Sequence, residues 1–220
     1  MSNLILNFNN KKIKKIKNPK YILGGKGSNL AEMGRLGLPV PPGFIISTEV
    51  CKLFYKNKKR LPKQVLKSIQ LELKTIEKLT SRKFGDLKNP LLVSVRSGAR
   101  VSMPGMMDSI LNLGLNDQTV KALAKKTGNG RFAKESYRRF IQMYSNVVLN
   151  IEGHLFEGMI DSQKLNKGVL LDTELEENDW DELIQRFKEL VKKQTKKKFP
   201  QSVQEQLYGA ISAVFLSWDS

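Results

Sequence analysis

The spacing of apolar and polar residues divides the chain into a front part that mixes short strands with helices and a rear part that is almost wholly helical. Leu4, Ile5, Leu6 and Phe8 give a short alternation suited to an edge strand. Phe44, Ile45 and Ile46 predict a second strand, and Leu91, Leu92, Val93, Ser94 and Val95 predict a third, buried one. Between them Val65, Ile69, Leu73 and Ile76 recur at helical spacing from Pro62 to Leu79, with lysine and glutamate in the gaps. That pattern predicts an amphipathic helix packed on a sheet. Two further helices are expected ahead of it. One is capped by Ser28 or Asn29, carries Leu30, Met33 and Leu36 on one face and stops at Gly37; the other is capped by Thr48 and carries Val50, Leu53 and Phe54.

From Asp117 onward the period is helical. Asp117 precedes Val120, Leu123 and Ala124, and Gly128 to Gly130 close that helix. Residues 131–150 place Phe132, Tyr137, Phe140, Ile141, Tyr144 and Val148 along one stripe, the mark of a core rather than of a ligand site. The acidic stretch from Glu174 to Asp181 suits the start of a helix, where negative charge is favoured. Residues 183–194 and 203–218 supply two more amphipathic helices. His154 is the one histidine; with Phe156, Met159 and Ile160 nearby and no metal-ligand spacing around it, it reads as structural.

Composition narrows the function classes. At 220 residues the chain can bury a core and hold one or two domains. A single cysteine, Cys51, excludes internal disulfides and points to a reducing compartment. The opening MSNLILNFNN lacks the features of a secretory signal, and no run approaches the roughly twenty apolar residues of a membrane helix. The expectation is a soluble, cytoplasmic protein that does not engage a membrane. The net charge of +17 invites a nucleic-acid reading. However, 16 of the 38 basic residues sit in three lysine runs at 11–20, 56–63 and 192–198, which lack aromatic platforms and any recognisable binding motif. Solvated faces explain them more simply. A non-catalytic module that binds a partner or nucleic acid through those faces is kept as the second reading.

Two stretches carry candidate chemistry. In YILGGKGSNLAEM, residues 21–33, Gly24, Gly25 and Gly27 flank Lys26 just ahead of a helix. Free backbone N–H groups and the helix dipole favour an anion there, and Lys26 adds a mobile ammonium. The spacing is neither that of a P-loop nor that of a dinucleotide-binding turn. In PLLVSVRSGARVSMPGMMDSILNLGLN, residues 90–116, Arg96 and Arg100 bracket Ser97, Gly98 and Ala99. Small residues let a backbone come close to a ligand, and guanidiniums offer forked donors to phosphate oxygens. On spacing alone, a plain loop leading into a helix and an ordinary surface or ion-paired arginine remain open beside the phosphate reading.

Taken together, GGKGSNLAEM, LPVPPGF, the 90–116 stretch, AKKTGN, RFAKESYRRFIQMYSNVV and AVFLSWD resemble the N-terminal region of the pyruvate, phosphate dikinase family, in order and through nearly the whole chain. Phosphoenolpyruvate synthases share the glycine-lysine loop and the strand ending in VRS, but the following GARVSMPGMMD looks like the dikinase. The resemblance implies an α+β fold: part of an ATP-grasp domain, an α/β nucleotide-binding subdomain with an inserted helical subdomain. Residues 1–116 would be the first part of the α/β subdomain, 117–200 the helical subdomain, and 201–220 a helix returning to the α/β subdomain. In the family, ATP gives its β,γ-phosphoryl pair to a histidine on a mobile central domain, phosphate takes the terminal group as pyrophosphate, and pyruvate receives the remainder at a C-terminal barrel.

By that resemblance Lys26 and Arg96 fall where the family places its triphosphate-binding, catalytic lysine and arginine, and Arg100, Ser102 and Met103 would line the nucleotide loop. Magnesium ligands, the phosphorylatable histidine domain and the pyruvate barrel are all expected beyond Ser220. His154 does not match the phosphohistidine motif. The expectation is therefore the front portion of a dikinase, homo-oligomeric when full-length, which alone lacks the complete reaction.

Overall fold

The computed structural model describes residues 4–8, 18–98 and 109–218. These form a mixed α+β protein of three two-stranded sheets and eight α-helices among the described residues. They fall into two compact units. The first gathers the chain up to Arg82, the turn that begins at Arg96 and the segment from Ser212; the second holds Lys83–Val95 and the chain from Ser109 to Ile211. Among the described residues no helix is long and apolar enough to cross a membrane.

In the first unit, strand β1 (Ile5–Asn7) pairs antiparallel with β2 (Phe44–Ile46), with Leu6 opposite Ile45. Those two side chains join Leu23 and Ala31 of helix α1 (Pro19–Arg35) in one apolar cluster, with Phe8 and Ile22 packed against it. Helix α2 (Thr48–Lys56) buries Val50, Cys51 and Phe54. Helix α3 (Lys63–Thr80) buries Val65, Ile69, Leu73 and Ile76, the four positions its periodicity predicts, and packs on β1. Asn7 of β1 donates a hydrogen bond to Glu72 of α3 at 3.3 Å.

Helix α1 departs from expectation in its start and in its buried face. It begins at Pro19 rather than near Ser28, and it is broken at Gly24, whose φ of 72° and ψ of 173° lie outside the helical region. Met33 and Leu36, expected to face the core, are 40% and 63% exposed. The buried line is instead Leu23, Gly27 and Ala31, four residues apart. Gly27 explains the choice, since a Cβ there would stand 3.3 Å from the Ile45 side chain. The helix presses its Gly27 side onto β2, and Met33 and Leu36 are turned away. At α2, Ser47 rather than Thr48 occupies the N-cap position, and the Thr48 hydroxyl donates to the Tyr21 carbonyl at 3.1 Å.

In the second unit, β3 (Lys83–Phe84) and β4 (Pro90–Leu91) pair in parallel, and β5 (Val93–Arg96) forms a ribbon with β6 (Ser109–Leu113). The single buried strand expected over 91–95 is thus two short ones broken at Leu92. Leu91 is buried, but Ser94 and Arg96 are exposed, because β5 has a partner on one side only among the described residues. Sequence reading misses β6, where Asn112 at φ 60° interrupts the alternation.

Helix α5 (Gly130–Val148) is the spine of this unit, packed against α4 (Thr119–Thr127), α7 (Glu177–Thr195) and β6. Its buried stripe is Ala133, Tyr137, Phe140, Ile141 and Tyr144. Phe132, placed on that stripe by periodicity, is 48% exposed: it sits one turn early, where Asn129 caps the helix by accepting the Phe132 N–H at 2.9 Å. The Phe199 ring packs edge-on against Phe140 and Tyr144 at centroid distances of 5.7 and 5.6 Å. Helix α6 (Gly153–Lys167) joins α7 through Phe156 and Phe187, 4.8 Å apart. The acidic stretch opens α7 at Glu177, six positions ahead of the residue at which periodicity starts it, and helix α8 (Val203–Leu216) follows.

Candidate functional site

The site begins with the break in α1. After Gly24 the helix resumes, so Gly25, Lys26 and Gly27 occupy a first turn, where main-chain N–H groups have no acceptor four residues back. One of these donors is already engaged: Gly25 N–H donates to the Gly98 carbonyl at 3.1 Å. The approach is close enough to require glycine. A Cβ at Gly24 would lie 1.9 Å from the Gly98 oxygen, and Gly24 holds a left-handed φ of 72°. From the other side the fit is ordinary: a Cβ at Gly98 would stand 3.5 Å from the Leu23 carbonyl oxygen, so the demand for glycine falls on Gly24.

This contact joins the two stretches singled out by sequence. Lys26 follows Gly25 directly and is half-buried; Arg96 is the last residue of β5, two positions before Gly98, and is exposed. Ser97, between Arg96 and Gly98, is 4% exposed, and its Oγ accepts a hydrogen bond from Trp218 Nε1 at 3.1 Å. The Trp218 ring packs on Phe215 at 6.0 Å, and Phe215 on Phe54 at 5.5 Å. Tyr55 completes the anchor by donating its hydroxyl to the Phe215 carbonyl at 2.9 Å. The Arg96–Gly98 turn is therefore gripped by the glycine turn through main chain and by Trp218 through a side chain. Neither contact has a local sequence signature, and sequence reasoning read Ser97 and Gly98 only as small residues. Arg100, Ser102 and Met103 lie outside the described residues.

An ammonium and a guanidinium on turns hydrogen-bonded to each other suit an anion with several oxygens. Lysine acts as a compact point charge and arginine as a planar fork. Among the described residues, no three His, Cys, Asp or Glu side chains gather as a metal site. His154 stands in the first turn of α6, with Nδ1 3.1 Å from a Glu152 carboxylate oxygen and its side chain 72% exposed.

Three displaced titrations of the second unit, at Tyr137, Tyr144 and Arg138, belong to packing. Burial pushes the Tyr137 and Tyr144 hydroxyls well above the usual tyrosine range. Burial also lowers Arg138, whose guanidinium lies 4.9 Å over the Trp180 ring and donates to Gln142 at 2.8 Å.

Comparison with known proteins bears on what these turns are for. The family model described as "Pyruvate phosphate dikinase, AMP/ATP-binding domain" matches residues 20–83, a span that includes Lys26 and ends before Arg96. Pyruvate, phosphate dikinase of Clostridium symbiosum is 53% identical over 202 residues, covering 91% of this chain and 23% of that protein. The Entamoeba histolytica enzyme is 50% identical over 199 residues, covering 90% and 22%, and the chloroplastic enzyme of Flaveria pringlei is 49% identical over 204, covering 93% and 21%. The chain matches the pyruvate, phosphate dikinase family. It spans less than a quarter of the length of these dikinases. The agreement runs far beyond the glycine-lysine turn, so the likeness to dikinases does not rest on a short motif.

Proposed function

We propose that this chain is the nucleotide-binding portion of a pyruvate, phosphate dikinase, in which Lys26 and Arg96 hold the phosphates of ATP. The observation that carries the proposal is the Gly25 N–H to Gly98 carbonyl hydrogen bond, which ties the lysine-bearing turn to the arginine-bearing one. Phosphoryl transfer asks the protein for position and charge more than for covalent chemistry. Lys26 and Arg96 would neutralise oxygens of the triphosphate tail as charge builds on the departing group, the task that fixed cations perform in a site shielded from water. Arg100, Ser102 and Met103 belong to the proposal as further lining residues. The fold would be part of an ATP-grasp domain, with the α/β elements of residues 1–116 carrying the phosphates, residues 117–200 forming an inserted helical subdomain and residues 201–220 a helix returning to the α/β part. The acceptor would be a histidine on a central domain, with pyruvate converted at a C-terminal barrel in the cytoplasmic, homo-oligomeric enzyme.

The two half-reactions of such an enzyme test the assignment. In the multidomain protein, Arg96→Ala should abolish ATP-dependent phosphorylation of the histidine while leaving phosphoryl exchange between phosphoenolpyruvate and that histidine intact. Loss of both half-reactions in a folded protein, or of neither, contradicts it.

A further inference from the structure

We infer that Ser97 and Trp218 are positioning residues for nucleotide binding: the indole N–H of Trp218, held on Ser97 Oγ, sets the Arg96–Gly98 turn in the register at which Gly98 meets the glycine turn of Lys26. The inference rests on the proposed role of Arg96 and adds to it the device that fixes the arginine.

Arg96 ends β5 and is exposed, at the point where the strand gives way to the turn. The residue that follows is different. Ser97 is 4% exposed, and a buried hydroxyl without a partner costs free energy, so the turn is favoured in the orientation that keeps Oγ on an N–H donor. The donor is Trp218 Nε1 at 3.1 Å, 121 positions along the chain. Indole is a donor only, with a single N–H, which makes the bond directional. The ring is fixed by Phe215, itself held through its neighbours Phe54 and Tyr55 of α2. On its other side the turn meets Gly25 N–H through the Gly98 carbonyl at 3.1 Å. Three consecutive residues thus hold a side-chain clamp at Ser97, a main-chain clamp at Gly98 and the cation at Arg96. Releasing the side-chain clamp leaves the guanidinium chemistry untouched and frees the turn to rotate.

The test uses this chain with Trp180→Phe, so that Trp218 is the only indole. The tryptophan side-chain N–H resonance is followed by NMR, and ATP affinity by calorimetry. Ser97→Ala should move the Trp218 N–H resonance upfield and quicken its exchange with water, and should weaken ATP binding about three- to tenfold, the effect of one lost neutral hydrogen bond. Ser97→Thr should restore both. Trp218→Phe, which keeps a ring against Phe215 and removes the N–H, should weaken ATP to a similar degree and serves if Ser97→Ala does not fold. An unmoved resonance in Ser97→Ala, or unchanged affinity in a folded Ser97→Ala or Trp218→Phe chain, overturns the inference while the phosphate role of Arg96 stands. Absence of ATP binding in the parent chain, with the resonance shift intact, overturns the phosphate role and this inference with it.

Discussion

At Gly24 a single hydrogen atom in place of a methyl group decides whether two turns can touch. Replacing it by alanine asks an L-residue to hold φ 72° and drives a Cβ to 1.9 Å from the Gly98 oxygen. Gly37 is the natural control, with a φ of 78° and nothing within 4 Å of its Cβ position. Gly37→Ala should therefore cost only the conformational strain, ~1 kcal/mol. Gly24→Ala should cost clearly more than that and weaken ATP binding too, as read from urea midpoints and calorimetry on the two variants. Lys26 and Arg96 were legible as candidates because their residue types and small neighbours have chemical meaning within a few positions. The Gly24–Gly98 approach and the Trp218–Ser97 bond were not, since a contact between residues 74 or 121 positions apart leaves no periodic trace.

Among elements, legibility followed how far tertiary packing overrides local pattern. The α3 stripe was read correctly because four large apolar residues at helical spacing leave one way to bury them. Ile69→Ala should lower stability by about 2–5 kcal/mol, whereas Leu71→Ala, at 65% exposed, should be nearly neutral in the same denaturation series. The buried face of α1 was misread because its contact side is made of Gly27 and Ala31, which hydrophobic patterning ignores. The expected strand over 91–95 split because the parallel pairing with β3 ends at Leu91.

At the start of α7 the acidic stretch has a defined use. Burial opposes ionisation of Asp179, but the Glu176 N–H at 2.9 Å, the Lys167 ammonium at 3.0 Å and the Gln163 amide at 3.1 Å outweigh it and hold the carboxyl below its ordinary range. A carboxyl depressed in the folded state contributes stability above its unfolded pKa and loses that contribution as pH falls through the folded value. Asp179→Asn should thus be less stable than the parent by ~1 kcal/mol at pH 7. The gap should narrow as acid protonates the parent, in urea midpoints taken from pH 7 down to pH 3.

Across the whole molecule, one unit carries both candidate phosphate ligands, Lys26 and Arg96, and the other is built around an aromatic helix core. The net charge of +17 does not by itself name a ligand. A salt titration separates the two uses of that charge, because binding to duplex through phosphate contacts falls steeply with added salt. We expect no measurable association with generic duplex near physiological salt; tight association there would favour the lysine-face reading over the nucleotide one.

The central claim, that Lys26 and Arg96 hold one phosphate tail, is tested most directly by calorimetric titration of ATP and of AMP into the parent chain, Lys26→Ala and Arg96→Ala. The account predicts that each substitution weakens ATP about tenfold or more, the scale of a lost charge-assisted hydrogen bond, and affects AMP far less. Parental affinity for ATP in either folded variant, or equal losses for ATP and AMP, would contradict it.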